Sequence, residues 1–509
     1  MSTKHAWAAE RSRQWRLRAM QRPTGSERGT EVLLTKSSRR NVLALGGAAL
    51  TLAMSPSPGA ASPRRGPATI STVELTGRVI LPRDAEYEEA RLTFNTRFSH
   101  FPAAIVECGA VADVQNAIRW ARKREMPLRA RSGGHSYEAF SVVDEGLVID
   151  VSGLNTIDVD LGRGEAVVGA GVRLLDLYTR LWEDGMAIPL GTCPIVGIAS
   201  LTLGGGIGYL SRQYGLTCDN LVQVEMVDAE GEIVTASEDE HADLFWALRG
   251  GGGGNFGIAT SFTFRLHPVA EVVRHRMRWP LALQAEALDA WQRWAPFTDE
   301  RLSAGFAVFD PSVDHVSLSI QFNGPADELP ALVEPMRQVG PRILDEAETM
   351  SYFSAVELYA GQPVSHSAFK NTGVFVSEPW SAEAITTFFE QMGASPSTSN
   401  VVGFFPAGGA VTAIEPDATA YVHRDALFDV QYQAYWQDGA DEAADVAWVR
   451  TIRDAMLPYT SGAYVNYIDA DIADWATAYY GANLPRLMAI KAAYDPDNVF
   501  NGPQSIPLE

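Results

Sequence analysis

The feature that most constrains the fold of this sequence is a glycine-dense region between residues 191 and 257. It contains two runs, 204–208 and 250–254, and aliphatic and aromatic residues flank both of them closely. Glycine loses more backbone entropy on folding than any other residue, so such runs in an ordered region usually mark turns or close approaches of the backbone to a ligand. A flexible linker is the alternative. The region therefore predicts turns and a ligand-binding surface.

Neither glycine run matches a common nucleotide-binding motif. The Lys-Ser/Thr pair of a phosphate-binding P-loop is missing. Gly204, Gly206 and Gly208 do not lie between a first strand and its helix near a domain start, as the dinucleotide fingerprint requires. There is also no HExxH or paired CxxC, and the nine histidines are scattered. The sequence thus disfavours a nicotinamide dehydrogenase and predicts no metal site.

The N-terminal segment has the pattern of an export signal. Residues 1–40 carry ten Lys/Arg and three Glu, and the adjacent Arg39 and Arg40 precede an apolar run at 42–54. Small and proline-rich residues follow at 55–63, with a cleavage zone near 59–62. This arrangement favours a twin-arginine signal over residues 1–62 and delivery to the periplasm or the cell exterior. A disordered basic tail or an N-terminal membrane anchor is the alternative.

Composition limits the partners of the remaining chain. The net charge of −21 includes a positive N-terminus, so the remainder carries −28 and is expected to repel nucleic acid. No further apolar run could span a bilayer, so stable membrane insertion is not predicted. Cys108, Cys193 and Cys218 are too few for a disulfide scaffold and allow at most one bridge.

Beyond residue 62, short aliphatic runs alternate with amphipathic stretches, which predicts an α+β fold with small sheets. Strands are expected at 103–106, 128–131 and 147–151, and a helix at 111–123. A second region begins near Pro268, with a helix at 283–295 and alternating strands at 304–309 and 316–322, a pattern typical of an antiparallel sheet. The segment 428–436 alternates with period two and predicts a strand whose polar side, with Gln431 and Gln433, faces solvent or a pocket. An amphipathic helix is expected at 441–459, with Val446, Val449, Ile452 and Met456 buried.

A second candidate site follows the strand at 128–131. There Arg131, Ser132, Gly133, Gly134, His135 and Ser136 form a short polar loop. Successive glycine and serine amides in a tight turn converge on an anion, and the nearby arginines strengthen that field. The loop could hold a pyrophosphate, although a single loop histidine is more often a plain surface residue.

These residues resemble a known family. The segment 131–136 resembles the pyrophosphate loop of the vanillyl-alcohol-oxidase (PCMH-type) FAD fold, specifically that of berberine-bridge-enzyme-like oxidases. Segment 191–197, with Cys193 and Pro194, resembles the family's second flavin attachment, and a glycine run and Arg212-Gln213-Tyr214-Gly215-Leu216 follow it. Segments 243–258, 464–467 and 496–500 also resemble family elements. Where relatives usually have Gly-Gly-His before the glycine run, this chain has Ala199-Ser200-Leu201.

The resemblance implies the fold, the domains and the cofactor. It implies a two-part PCMH-type FAD-binding domain at 75–268, an antiparallel-sheet substrate domain at 269–459, and a C-terminal element at 460–509 that returns to the FAD domain. FAD is expected to be covalent, through His135 to the flavin 8α carbon and through Cys193 to C6. The implied FAD-binding residues are Arg131, Ser132, Gly133, Gly134, His135, Ser136, Cys193, Val196, Gly197, Gly204, Gly205, Gly208, Gly257, Ile258 and Asn466.

The implied activity is hydride transfer from an alcohol-type carbon of a sugar or secondary metabolite to FAD, with O2 as the acceptor. Tyr464 is the first candidate for the base and Tyr467 the second, and core packing is the alternative for each. Asn466 is expected to share Tyr464's side of a strand and to lie near the flavin. Gln431 is expected to contact substrate or the flavin edge, and the small Val196 favours oxygen access. A dehydrogenase with another acceptor and a non-catalytic flavin-binding protein are the competing hypotheses.

Overall fold

Short apolar runs form a four-stranded sheet in the computed structural model, which describes residues 72–360, 366–436 and 442–509. The predicted export signal lies outside these residues. The strand order is β1-β2-β4-β3, and β4 pairs in parallel with both of its neighbours. All four residues of β4 are buried, as expected of a parallel strand that is covered on both faces. The strands are β1 (Arg78–Ile80), β2 (Ala104–Glu107), β3 (Leu128–Arg131) and β4 (Leu147–Asp150).

A second sheet of five antiparallel strands follows, in the order β5-β6-β10-β8-β9. Much of the glycine-dense region lies between its strands, where it forms turns and short helices. A two-stranded ribbon of β7 and β11 lies near the end of this part of the chain. The strands are β5 (Ile157–Asp160), β6 (Glu165–Gly169), β7 (Met186–Ala187), β8 (Leu221–Val227), β9 (Ile233–Ser237), β10 (Ile258–Arg265) and β11 (His267–Pro268).

The third sheet has seven antiparallel strands in the order β15-β12-β14-β13-β17-β18-β16. In β13 and β14, residues of alternating burial confirm that one face packs against a core. The predicted alternating segment became the strand β18, which lies between β17 and β16. The strands are β12 (Glu271–Pro280), β13 (Leu302–Phe309), β14 (His315–Phe322), β15 (Leu344–Ser351), β16 (Ala368–Val376), β17 (Val401–Pro406) and β18 (Phe428–Trp436).

The helices cover the sheets with their apolar sides. In α12 the four residues predicted to be buried are all buried, because they recur every three or four positions on one face. None of the described helices has the length and hydropathy needed to cross a bilayer. The helices are α1 (Tyr87–Ala90), α2 (Val111–Arg122), α3 (Leu174–Trp182), α4 (Ile198–Leu203), α5 (Ser211–Tyr214), α6 (Ala242–Ala247), α7 (Gln284–Trp294), α8 (Leu329–Leu332), α9 (Glu334–Arg337), α10 (Tyr352–Ala360), α11 (Ala382–Gly393), α12 (Glu442–Met456), α13 (Trp475–Tyr480) and α14 (Leu484–Tyr494).

Two large hydrophobic cores lie within the unit Pro67–Glu509. One core lies among the first two sheets, and the other lies between the seven-stranded sheet and helices such as α7, α11 and α12. Leu487, Phe500 and Ile506, near the C-terminus, pack into the first core rather than the second. The chain therefore returns to its N-terminal half after it has built the third sheet.

Candidate active site

A cavity of about 520 Å³ is lined by residues from all three parts of the chain. The loop after β3, the glycine-dense region, strands β16 to β18 and the C-terminal segment all contribute side chains or backbone. Most of the residues predicted for the site meet here, although they are widely separated in sequence. Those lining the cavity are Arg131, Ser132, Gly133, Gly134, His135, Ser136, Cys193, Val196, Gly257, Ile258, Gln431, Tyr464, Asn466 and Tyr467.

The loop after β3 presents unsatisfied hydrogen-bond donors to the cavity. The amides of Gly133, Gly134 and Ser136 have no hydrogen-bond partner in the described part of the chain. Behind them, the Arg131 guanidinium pairs with Asp150, with 2.6 Å between Nε and Oδ2, while its buried Nη1 has no partner. The three amides belong to partly buried residues that line the cavity, whereas the Arg131 nitrogen is fully buried and costly to leave unpaired unless a ligand satisfies it. This group therefore fits an anion such as a pyrophosphate.

His135 and Cys193 face each other in the cavity, with 3.5 Å between the imidazole Nε2 and the thiol Sγ. Phe94 stacks on the His135 ring, with centroids 4.0 Å apart, and so fixes the plane of the imidazole. Burial lowers the pKa of His135 to about 4 and raises the pKa of the Cys193 thiol. At neutral pH both groups are thus uncharged. All three cysteines of the chain are free thiols.

A group of aromatic and amide side chains forms another part of the cavity wall. Tyr137 stacks on Tyr467, with ring centroids 5.9 Å apart and an interplanar angle of 4°, and its hydroxyl accepts a 2.7 Å hydrogen bond from the Gln431 amide. Asn371 donates to the Tyr435 hydroxyl, and this hydroxyl donates to Gln433. We name this group the aromatic chamber; its members are Tyr137, Phe369, Asn371, Gln431, Gln433, Tyr435 and Tyr467.

Strand β18 shapes the aromatic chamber through its neighbours. Gln431 lies opposite Gly373 in β16 and Gly403 in β17. A Cβ atom at Gly373 would collide with the Tyr467 ring, so this glycine makes room for the aromatic side chain above the sheet. The polar side of β18 therefore faces a pocket, which was one of the two possibilities that its alternation left open.

Asp429, also on the polar side of β18, was not singled out from the sequence. Its carboxyl is 3% exposed, and Oδ2 has no hydrogen-bond partner among the described residues. Burial raises the pKa of Asp429 to about 8, although a main-chain hydrogen bond and the Tyr467 hydroxyl both act to lower it. A buried carboxyl with a pKa near neutrality, in contact with a cavity-lining phenol, has the properties of a general base. The alternation of β18 placed Asp429 beside Gln431, which was the available signal.

The structure corrects the expectation for Asn466 and weakens the first choice of base. Val465–Tyr467 is a single 3-10 turn rather than part of a strand. Within it, the Asn466 amide donates to the Tyr464 hydroxyl at 2.9 Å, and the Gly206 amide donates to the same oxygen at 2.8 Å. Both donors lower the pKa of Tyr464, but burial outweighs them and raises it well above its usual value, as burial also does for Tyr467, so neither phenol is a good base by itself. Tyr464 supports the glycine run, and Tyr467 contacts the buried carboxyl.

Four other glycines predicted to touch the cofactor are not among the residues that line the cavity. A Cβ atom at any of them would collide with a neighbouring group: Gly197 with the Ser132 hydroxyl and the Gly133 amide, Gly204 with the Asn466 amide, Gly205 with the Tyr421 ring and Gly208 with the Leu190 carbonyl. Their function is therefore close packing of the loops that line the cavity.

Comparison with known proteins agrees with this geometry. Residues 102–237 match a family model described as an FAD binding domain, and residues 463–507 match one described as berberine and berberine like. The chain is 39% identical over 442 residues to the uncharacterized FAD-linked oxidoreductase YgaK of Bacillus subtilis (strain 168), covering 85% of this chain and 97% of YgaK. It is 32% identical to berberine bridge enzyme-like 12 of Arabidopsis thaliana, covering 86% of this chain and 92% of that protein.

This chain belongs to the berberine-bridge-enzyme-like family. The solved structure of Physcomitrella patens BBE-like 1 superposes with a TM-score of 0.81 at 33% identity, covering 86% of this chain and 98% of that one. A chitooligosaccharide oxidase superposes with a TM-score of 0.79 at 26% identity, covering 85% and 97%. The predicted family and the predicted α+β, PCMH-type fold are thus confirmed, and the protein is an FAD-linked oxidoreductase.

The residues of this berberine-bridge-enzyme-like protein fit FAD. The unpartnered amides after β3 and the buried Nη1 of Arg131 match the charge of a pyrophosphate. Apolar residues such as Val196, Ile258 and Leu203 line other parts of the same cavity and suit a flat ring system. When bound, FAD supplies an acceptor for a hydride, which these side chains lack.

Proposed function

We propose that this protein is an oxidase with FAD attached covalently to His135 and Cys193, and that it oxidises an alcohol-type carbon of a sugar or secondary metabolite. O2 is the proposed terminal acceptor, so each turnover converts one alcohol and one O2 to a carbonyl compound and H2O2. The observation that carries the proposal is a single cavity lined by a neutral His–Cys pair and by Tyr467, whose hydroxyl contacts the buried Asp429 carboxyl behind the cavity wall.

The distance between His135 and Cys193 supports attachment of both to one ring. Two nucleophiles 3.5 Å apart can reach neighbouring positions of the same small ring system. The lowered pKa of His135 keeps its imidazole unprotonated at neutral pH, as a nitrogen nucleophile requires. A thiol–imidazole hydrolase is a less suitable assignment, because a reactive hydrolytic cysteine needs a lowered pKa and the pKa of Cys193 is raised.

Removal of a hydride from an alcohol carbon also requires removal of the hydroxyl proton. Asp429 is the proposed acceptor, with the Tyr467 phenol between it and the cavity. The chamber amides of Gln431, Gln433 and Asn371 are placed to orient hydroxyl groups of a substrate, since each lines the cavity. Burial of the pair excludes water from the proton path, and no histidine is needed as a base.

Mass spectrometry tests the covalent attachment. The intact protein should carry the mass of one FAD, and peptide digests should place the adduct on the peptides that contain His135 and Cys193. Acid precipitation should leave a yellow pellet. A colourless pellet with all flavin in the supernatant would show that neither bond exists.

Release of H2O2 on a panel of sugars and other alcohols tests the oxidase reaction. A non-catalytic flavin-binding protein would release none with any member of the panel. Stopped-flow mixing of the reduced enzyme with air-saturated buffer separates an oxidase from a dehydrogenase, because only the former should be reoxidised rapidly. Val196 lines the cavity and, through its small side chain, supports oxygen access in the proposal.

Export by the twin-arginine route is proposed for residues 1–62, whose basic, apolar and small-residue segments have the order of a signal. A reporter protein fused behind these residues should leave the cytoplasm. Replacing Arg39 and Arg40 with Lys should retain the reporter inside, while replacing Arg16 and Arg18 in the same way should not.

A further inference from the structure

A buried ionic cluster lies next to the aromatic chamber and plays no part in the proposed reaction. The Lys370 ammonium is 2.6 Å from Glu138 Oε1, 2.5 Å from Asp469 Oδ1 and 3.0 Å from Asp471 Oδ2. The side chains of Lys370, Glu138 and Asp469 are each at most 5% exposed. A lysine, a glutamate and an aspartate are rarely buried this fully unless they are paired.

Each of the three buried members of the cluster lies within two residues of the aromatic chamber in sequence. Glu138 follows Tyr137, Lys370 lies between Phe369 and Asn371 in β16, and Asp469 comes two residues after Tyr467. Successive side chains of a strand point to opposite faces, so Lys370 lies on the face of β16 away from the cavity. One ammonium group thus binds the outer side of three separate chamber segments.

Glu138 and Asp469 depend on the Lys370 ammonium for their direct ion pairs. In the described part of the chain, Lys370 is the only cation in an ion pair with either Glu138 or Asp469. Asp471 has a second cation, the half-exposed Arg450, which pairs with both of its oxygens at 2.8 Å. The two carboxylates raise the pKa of Lys370 despite its burial, so the ammonium stays charged. Its loss would remove the one ammonium in direct contact with both buried carboxylates and leave only the more distant Arg97 and Arg450 to offset their charge.

Neutral contacts join the same segments at other points. The Asn95 amide donates to the Tyr137 carbonyl at 2.7 Å and to the Phe369 carbonyl at 3.0 Å, and it accepts from the Phe369 amide. Asn95 therefore connects the loop after β3 to strand β16. Main-chain hydrogen bonds between Phe375 and residues 461–462 join β16 to the C-terminal segment before Tyr467, and Lys370 adds an ionic connection after Tyr467 through Asp469.

We propose that Lys370 is a positioning residue that holds the loop after β3, strand β16 and the C-terminal turn at fixed distances, and so aligns Tyr137 and Tyr467 across the aromatic chamber. Its effect on turnover rests on the proposed function, whereas its effect on the three segments does not. A displacement of about 1 Å in such an arrangement lowers turnover by on the order of 100-fold.

The test compares Lys370→Met, Glu138→Gln and a control, Val449→Ala, in the full flavin-loaded protein. Val449 is fully buried in α12, in the other hydrophobic core, and should lower thermal stability without touching the chamber. Hydrogen exchange is followed by mass spectrometry in segments 132–138, 366–376 and 463–471. kcat and KM are measured with an alcohol that releases H2O2 in the panel above.

Lys370→Met is expected to increase exchange about tenfold or more in all three segments together, through more frequent local opening. kcat should fall by on the order of 100-fold with a smaller change in KM. Glu138→Gln keeps the Lys370–Asp469 pair, so increased exchange should be confined to segment 132–138. If Lys370→Met does not fold, the exchange pattern of Glu138→Gln decides whether the cluster positions these segments.

Two exchange results would overturn the proposal and leave Lys370 as an ordinary stabilising residue. One is increased exchange in segment 366–376 alone in Lys370→Met. The other is increased exchange in all three segments in Val449→Ala. An unchanged kcat in a Lys370→Met protein whose wild-type parent oxidises an alcohol would also overturn the proposal. If the wild-type protein oxidises none, the proposed function has failed, and the exchange pattern still decides the role of Lys370.

Discussion

Replacing Asp429 with Asn is expected to stabilise the protein and to slow its turnover, because burial raises the pKa of this carboxyl to about 8. The substitution keeps the size of the side chain and removes its negative charge. In the unfolded chain the carboxyl has its ordinary pKa of 3.8. A difference of about four pKa units corresponds, at about 1.36 kcal/mol each, to about 5 kcal/mol of folding free energy.

The size of this stability difference depends on pH, and it grows within a defined window. Below about pH 4 the carboxyl is protonated in both states, so wild type and Asp429→Asn should unfold with similar free energies. Between about pH 4 and 8 only the unfolded chain loses its proton, and wild-type stability falls as the pH rises. The advantage of Asp429→Asn should therefore grow up to about pH 8 and then remain constant.

Turnover should respond in the opposite direction. An ionised Asp429 is the proposed proton acceptor, so wild-type kcat/KM should rise with pH to a plateau above an apparent pKa near 8. Asp429→Asn should lose this dependence together with about 10²- to 10⁴-fold of the rate. Its bound flavin should stay unchanged in amount.

Calorimetric unfolding from pH 4 to 9 and steady-state O2 consumption over the same range measure the two effects. Lower stability of Asp429→Asn at pH 8, or a retained rise of kcat/KM with pH, would refute the assignment of a raised pKa to this carboxyl. A stability gain without any loss of rate would mean that the carboxyl is buried but does not act as the base.

Three further predictions follow from the site. His135→Ala and Cys193→Ala should each keep one protein–flavin bond, and the double variant should release all flavin on acid precipitation, as mass spectrometry and absorbance of the supernatant would show. Tyr467→Phe should lower kcat by about 100-fold or more, whereas Tyr464→Phe should mainly cost about 1–3 kcal/mol of unfolding free energy by leaving buried donors unpaired; equal rate losses would contradict this division. Gly206→Ala should lower the urea midpoint by an amount equivalent to about 2–4 kcal/mol of unfolding free energy. The reasons are that its φ of +89° is unfavourable for alanine and that a Cβ would collide with a neighbouring side chain. An unchanged midpoint would contradict close packing around the glycine run.

Local periodicity was sufficient to predict much of the fold. Helix α12 and strand β18 formed where the spacing of apolar residues required them, since a buried stripe or face is a property of one short segment. The resemblance located the anion-binding loop and the His135–Cys193 pair, because motifs in a fixed order carry that information. The predicted domain bounds, covalent bonds and export signal stay predictions.

Properties that depend on tertiary packing could not be obtained in this way. The raised pKa of Asp429 arises from burial by strands distant in sequence, and nothing in the order of residues along β18 distinguishes it from a solvated aspartate. Tyr464 and Tyr467 differ by three positions, and only the turn at Val465–Tyr467 shows that one supports the glycine run and the other contacts the carboxyl. The partners of Lys370 are separated from it by 232 and 99 residues.

The return of the C-terminus to the first core has a consequence for biosynthesis. Tyr467 closes the cavity wall, while Phe500 and Ile506 anchor the same segment in the N-terminal half. A ribosome adds these residues after the rest of the cavity wall, so a nascent chain has an open, unfinished cavity until they have been made. Sealing of the cofactor compartment therefore has to wait for this segment, and a stop codon before Tyr467 would yield a chain unable to enclose the cofactor.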